Sequence, residues 1–213
     1  MTEEIEIRAG GIRIGFEPDC GYLTGLAVTD EGVTVAPLHV APWAGEAMPD
    51  TAAPHQARLR GDYFCAPMGR GADGLHGLTA NGRWQVMPTA PGTLRAVLQG
   101  AVQGATVVKE AQLQDGQPFL YQRHLFIGGS GALPMCSHAM VAVPNGAKLS
   151  FSRKRWFETP AVPVEPDPAR GRSALAYPRR AEDATEFPGA DGGSVNLHRY
   201  PWGPAHEDFV SAI

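Results

Sequence analysis

The sequence lacks a long hydrophobic run and an excess of positive charge. No stretch approaches the ~18 consecutive apolar residues of a membrane-spanning helix. The N-terminus, MTEEIEIRAG, is acidic and has no apolar core, so we expect no secretory signal. Lys and Arg number 18 against 22 Asp and Glu, which gives a net charge of −4. That balance argues against a nucleic-acid or membrane partner and favours a neutral polar ligand over a polyanion.

Cysteine is scarce, and the short motifs of several enzyme classes are missing. The three cysteines, Cys20, Cys65 and Cys136, are odd in number and show no CxxC spacing. This argues against a disulfide framework or a zinc site and favours a reducing cytoplasm. The sequence has no HExxH motif and no histidine pair at i, i+2 or i, i+4, so we expect no metal. The GxSxG elbow of many hydrolases is absent as well.

Glycine and proline, in contrast, are abundant, with 26 and 19 residues. Between them lie short segments in which apolar and polar residues alternate, as in half-buried strands. The predicted strands are residues 4–16 (two arms about a Gly-Gly turn), 22–29, 33–40, 83–87, 93–99, 106–114, 119–127, 133–143, 148–152 and 194–197. Successive antiparallel strands at this spacing predict an all-β sandwich or barrel, which we assign to one domain, residues 1–213.

Some segments carry more specific expectations. Residues 148–152 are expected to pair with 133–143 as a hairpin. Residues 157–193, rich in proline and charge, predict either an irregular solvated excursion or a loop that covers a ligand. Residues 210–213 begin an apolar alternation without a partner strand, so we expect the sandwich to be incomplete at its C-terminus.

The segment 60–84, RGDYFCAPMGRGADGLHGLTANGRW, concentrates chemically able side chains. Six of its 25 residues are glycines, so we expect no ordinary helix, since each interior glycine costs about 1 kcal/mol relative to alanine. Residues 69–74 match GxGxxG, but no strand is predicted before them and no helix after them, which argues against a dinucleotide site. A connector this long and of this composition is typical of a functional loop.

Histidine is the residue type with the strongest claim to chemistry. His76 lies in the glycine-rich loop, where we expect an exposed imidazole with either a site role or a turn-stabilising hydrogen bond. His138, in the predicted strand 133–143, is either a satisfied core histidine or a site residue, and His124 is a weaker case of the same kind. Two histidines converging from a loop and a strand would suit acid–base chemistry on a hydroxyl or ring oxygen, because imidazole titrates near neutral pH.

Several segments, taken in order, resemble the aldose 1-epimerase (galactose mutarotase-like) superfamily. They are PLHVAPWAGE at 37–46, GDYFCAPMG followed by LHG at 75–77, CSH at 136–138, and SFSRKRWFETP at 150–160. The resemblance covers nearly the whole chain and implies a β-supersandwich, a large antiparallel two-sheet fold with a sugar cleft on one face. It also implies a reaction that needs no cofactor. A histidine protonates the ring oxygen of an aldose and a carboxylate withdraws the anomeric hydroxyl proton, so the ring opens and recloses as either anomer.

The same resemblance implies roles for individual residues. His76 matches the histidine that contacts the sugar, and His138 matches the general acid. Arg70 is similar in position to a substrate-binding arginine, although its spacing to LHG is short, and Asp208 loosely matches a sugar-binding aspartate. These four residues are the candidate site.

The catalytic carboxylate is where the chain departs from this pattern. In the family it comes from a C-terminal strand well beyond the second histidine. Here it is expected beyond Ile213, or is replaced by Glu207 or Glu158, or is missing because the protein does not catalyse. The function that the resemblance implies is an aldose 1-epimerase acting on an aldohexose. The alternatives are a non-catalytic carbohydrate-binding protein and a structural β domain of a larger carbohydrate enzyme.

Overall fold

This computed structural model describes residues 4–44, 47, 52–163, 173–203 and 208–213. They belong to two compact units, Met1–Ala142 (unit 1) and Val143–Ile213 (unit 2). The single domain expected over residues 1–213 stays a prediction.

Unit 1 is built almost entirely from antiparallel strands. Their bounds are β1 (Ile5–Ala9), β2 (Ile12–Glu17), β3 (Tyr22–Asp30), β4 (Val33–Val35), β5 (Asp62–Cys65), β6 (Arg70–Gly71), β7 (Gly74–Leu75), β8 (Trp84–Met87), β9 (Thr93–Val102), β10 (Ala105–Gln112), β11 (Tyr121–Gly128) and β12 (Cys136–Ala139). A 3-10 helix, Gln56–Arg58, and a short α-helix, α1 (Gly77–Asn81), lie between strands. The all-β class is therefore confirmed.

Two sheets of unit 1 share one apolar core. The first sheet has the order β1-β2-β3-β5-β12 with β4 beside β3, and the second has the order β11-β10-β9-β8. Alternate residues of a strand point to the same face, so Phe16 and Phe64 of the first sheet meet Trp84 and Val107 of the second in a single buried cluster. Burying each such side chain contributes about 1.5–3 kcal/mol. The arrangement is sandwich-like; the galactose mutarotase-like fold stays a prediction.

Tight turns set the register of this unit much as the sequence predicts. The Gly10-Gly11 turn joins β1 to β2 and places Ile7 opposite Ile14. Gly11 has φ 80°, a left-handed conformation that glycine adopts at little cost. The strands predicted at 22–29, 83–87, 93–99, 106–114 and 119–127 are confirmed, with bounds shifted by a few residues, and the strand predicted at 194–197, which belongs to unit 2, is seen at Ser194–Val195.

Other details of unit 1 correct the sequence-based expectations. Regular pairing covers only the start of 33–40 and the middle of 133–143. The helix α1 forms where none was expected, because tertiary contacts hold it. Thr79 Oγ1 accepts a hydrogen bond from the Ala66 amide at 2.9 Å, and the Thr79 carbonyl accepts one from Trp84 Nε1 at 3.2 Å.

Unit 2 consists of two-residue strands around a small apolar core. The strands are β13 (Ala147–Lys148), β14 (Phe157–Glu158), β15 (Arg180–Ala181), β16 (Phe187–Pro188), β17 (Ser194–Val195), β18 (Arg199–Tyr200) and β19 (Ser211–Ala212). Phe157, Leu175, Phe187 and Leu197 are buried in one cluster. The segment 157–193 therefore contributes strands and core side chains instead of an entirely solvated excursion.

Two pairing predictions are wrong. Strand β13 pairs with β18, and the strand predicted as its hairpin partner, seen as β12, pairs with β5. The segment at the end of the chain, expected to be unpaired, forms β19 and pairs with β14. Strand periodicity specifies which face is buried and carries no information about a partner that is distant in sequence. No helix in the described ranges is long and apolar enough to cross a membrane.

Candidate functional site

Four aromatic rings of unit 1 form the centre of the candidate site. Tyr63 of β5 lies directly opposite His138 of β12 in the antiparallel ladder. Their rings stack with centroids 4.7 Å apart and an interplanar angle of 12°. The rings of His55 and His76 lie 5.3 Å and 6.0 Å from that of Tyr63. We call His55, His76, His138 and Tyr63 the histidine cluster.

The loop that carries His76 is folded back by its own backbone. The His76 amide donates to the Gly69 carbonyl at 2.7 Å, and the Gly69 amide donates to His76 Nδ1 at 3.2 Å. His76 itself has φ 62°, a strained conformation for a residue with a Cβ. The next residue is a glycine because a Cβ on Gly77, also at positive φ, would clash with the Ala66 carbonyl.

These contacts bring the two predicted histidines together. The ring centroids of His76 and His138 lie 5.6 Å apart, so one side chain from the loop and one from the strand are neighbours. The expectation that the His76 imidazole is exposed is wrong, because the ring is partly buried among the other rings of the cluster.

Sequence reasoning missed His55. This residue is 1% exposed, and its ring centroid lies 5.1 Å from that of His76. The Tyr22 hydroxyl donates to the His55 carbonyl at 2.7 Å and holds the segment against β3. Nothing local marks His55, since it follows a proline-rich stretch without strand periodicity and has no nearby catalytic motif. Only its partner across 26 residues, Asn81, identifies it.

The Asn81 side chain fixes the tautomer of His55. Asn81 Nδ2 donates to the carbonyls of Leu75 and Gly77 at 2.7 Å and 2.8 Å. Because carbonyl oxygens only accept, the amide oxygen must be the atom that faces His55 Nδ1, at 2.8 Å. Nδ1 of His55 therefore carries the proton, and Nε2 of the neutral ring is an acceptor.

His76 has the opposite tautomer. Its Nδ1 accepts the Gly69 amide proton, so in the neutral ring Nε2 carries the hydrogen and is a donor. Burial, reinforced by the neighbouring His55 and His138, lowers the pKa of His76 to about 4. Burial also lowers the pKa of His55, against the opposing effect of the hydrogen bond that His55 donates to Asn81. Near pH 7 the cluster thus holds a neutral donor and a neutral acceptor in neighbouring rings.

The other two residues proposed from the sequence, Arg70 and Asp208, belong to different units. Arg70 is exposed in β6, opposite Leu75 in the two-residue β6–β7 ladder. Asp208 belongs to unit 2, where its carboxylate accepts hydrogen bonds from the Ala174 amide at 2.8 Å and the Tyr177 hydroxyl at 3.0 Å. These bonds give Asp208 a structural role in that unit.

Of the two candidate substitutes for the catalytic carboxylate, Glu158 and Glu207, the structure describes only the first. Glu158, also in unit 2, accepts two hydrogen bonds from Arg180, at 2.9 Å and 2.6 Å. Glu207 lies outside the described residues.

The face of β5 opposite to Tyr63 is bordered by a second set of polar side chains, which pack in the interior of unit 1. Asp62 Oδ2 accepts a hydrogen bond from Gln122 at 2.7 Å, and the fully buried Lys109 donates to the Gly21 carbonyl at 2.7 Å. His124 stacks on Phe64 with centroids 3.7 Å apart, and burial lowers its pKa to about 3. Since neighbouring residues of a strand point to opposite faces, Asp62 and Phe64 face away from Tyr63, and His124 packs on the Phe64 side of β5.

In the described parts of both units, no group of three or more histidine, cysteine or acidic residues is arranged to hold a metal ion. The comparisons with known proteins found no family model, no curated protein and no solved structure that matches the chain.

Proposed function

We propose that the histidine cluster binds a cyclic aldose and exchanges protons with its hemiacetal group, which is the reaction of an aldose 1-epimerase. The observation that supports this most strongly is the convergence of His76 and His138, which come from a loop and from a strand distant in sequence, with ring centroids 5.6 Å apart. The resemblance in the order of segments makes the same two residues the sugar contact and the general acid.

The chemistry requires a proton for the ring oxygen and an acceptor for the anomeric hydroxyl proton. In this proposal His138 supplies the first proton and the neutral His55 Nε2 accepts the anomeric hydroxyl proton; both transfers reverse when the ring recloses. His76, neutral because burial lowers its pKa to about 4, donates a hydrogen bond through Nε2 to a sugar oxygen without competing for the transferred proton. No cofactor takes part, because opening a hemiacetal moves only protons and the electron pair of the C1–O5 bond.

A second candidate is a carbohydrate-binding protein that does not catalyse. It is favoured by the hydrogen bonding of Glu158, whose carboxylate already accepts two hydrogen bonds from Arg180. The partly exposed His138 ring, stacked on the buried Tyr63 ring, offers a flat surface of the kind that packs against a sugar ring, whether or not a reaction follows.

Polarimetry of freshly dissolved α-galactose and α-glucose separates the two candidates. Wild type is expected to accelerate the approach to anomeric equilibrium, and His138→Ala to lower that rate by about 100-fold or more, since general acid–base catalysis contributes about 10²–10⁴-fold. His39→Ala is the matched control, because the His39 side chain is exposed and only its backbone is hydrogen-bonded to Met140 and Gly61.

Saturation-transfer NMR on the same sugars completes the test. If a sugar contacts the protein but equilibrates at the uncatalysed rate, the result supports the non-catalytic binding protein and rules out the epimerase. If the protein neither binds nor accelerates, both candidates fail.

A further inference from the structure

Two of the three cysteines lie side by side in unit 1, although the sequence separates them widely. Cys65 ends β5 and Cys136 begins β12, and the two residues are direct partners in the antiparallel ladder between these strands. Both belong to the cluster that packs around Tyr63. The sequence, with its odd number of cysteines and no CxxC spacing, gave no sign of this pair.

The ladder places the two thiols where a disulfide could join them. Directly opposite residues of an antiparallel pair have Cα atoms about 4.5 Å or about 5.5 Å apart, depending on the pair type. Both separations fall within the range of roughly 4.4–6.8 Å that disulfides span. Opposite residues also point to the same face of the sheet, so no change of strand register is needed.

Accessibility differs between the two sulfurs and sets the order of reaction. Cys136 is partly exposed, and its thiol donates to Met68 Sδ at 3.3 Å. Cys65 is completely buried. Burial, and then the adjacent Cys136, raises the pKa of Cys65 above its ordinary value. A solution oxidant therefore meets Cys136 first, and Cys65 is the resolving thiol.

The third cysteine provides an internal comparison. Cys20 is buried in the same cluster but lies between β2 and β3, with no cysteine opposite it in the described ladders. Burial raises its pKa to about 12. Cys20 should therefore stay reduced under conditions in which the Cys65–Cys136 pair reacts.

We propose that Cys65 and Cys136 form a reversible disulfide when the protein meets a low-molecular-weight disulfide such as oxidised glutathione. The Cys136 thiolate attacks one sulfur of the oxidant, forming a mixed disulfide and releasing one glutathione thiolate. The Cys65 thiolate then attacks the Cys136 sulfur and releases the second. The two protons lost by the cysteines end on the two glutathione thiols, so two cysteines are oxidised and one disulfide is reduced.

Such a bond would link the strands that carry the stacked rings of the histidine cluster. Tyr63 lies two residues before Cys65, and His138 lies two residues after Cys136. The covalent link would fix the separation of these two strands beside the candidate site. The proposal does not depend on the ligand of that site.

The test is peptide mapping of the native, reduced protein after incubation with oxidised glutathione, with free thiols alkylated under denaturing conditions. The expected product is a Cys65–Cys136 disulfide with Cys20 fully alkylated, and dithiothreitol should restore three alkylated cysteines. In Cys136→Ser no internal disulfide should form, whereas Cys20→Ser should still form it.

Wild-type mapping alone decides the matter if a variant fails to fold. Alkylation of both Cys65 and Cys136 would overturn the proposal. So would a glutathione adduct on Cys136 that never resolves, or a disulfide that includes Cys20.

Discussion

Replacing Asn81 by alanine tests whether the histidine cluster is held by the network described above. The substitution removes the acceptor of His55 Nδ1 and the donor to the carbonyls of Leu75 and Gly77. Because His55 is 1% exposed, water cannot easily replace the lost partner. The segment 52–58 and the loop before α1 should therefore both loosen.

The expected cost follows from these three hydrogen bonds. A buried donor left without a partner costs about 1–3 kcal/mol, and each of the other two bonds contributes about 0.5–1.5 kcal/mol. We expect Asn81→Ala to lower the free energy of unfolding by about 2–6 kcal/mol, a large part of the 5–15 kcal/mol typical of a domain.

Urea unfolding measures this loss as a lower midpoint at an unchanged slope. Gln85→Ala is the control, since Gln85 is an exposed amide side chain of β8 in the same unit, and it should change stability by less than about 0.5 kcal/mol. An Asn81→Ala midpoint equal to that of the control would refute the network and, with it, the tautomer assigned to His55.

Three further predictions concern titratable side chains of unit 1. Burial lowers the pKa of Lys109 to about 8, so between pH 8 and about 10.4 the unfolded chain binds more protons. The free energy of unfolding of wild type relative to Lys109→Met should therefore rise by about 2–3 kcal/mol from pH 7 to pH 10 in urea titrations. A difference that does not change with pH would contradict the lowered pKa of Lys109. Glu17 is buried against Arg58 and Arg60, and Glu17→Gln should lower the free energy of unfolding by about 3–5 kcal/mol. A loss below about 1 kcal/mol would show that these ion pairs are solvated. The His76 ring should titrate in an NMR pH series with a midpoint near 4, and a midpoint at 6 or above would mean that the ring is exposed.

The fold was predictable where strand order follows chain order. Local alternation of apolar residues identified β1 to β3 and β8 to β11, because each of these strands buries one face and turns at glycine or proline. It could not predict that β12 would join β5 or that β19 would join β14. Those pairings depend on side-chain packing between distant segments, which a period of two does not encode.

The site was half predictable for a related reason. His76 and His138 could be chosen because a glycine-rich loop and an amphipathic strand each single out one imidazole. His55 could not, since its role depends on Asn81 in a helix that glycine content argues against. Tertiary bonds to Thr79 override that local propensity.

The most direct measurement of the central claim is anomeric exchange of galactose at equilibrium, followed by magnetisation-exchange NMR between the α and β anomeric protons. Proton transfer in the histidine cluster predicts an exchange rate that increases in proportion to wild-type protein and returns to the buffer rate with His138→Ala. An exchange rate that is the same with wild type, with His138→Ala and in buffer would contradict the proposed epimerase.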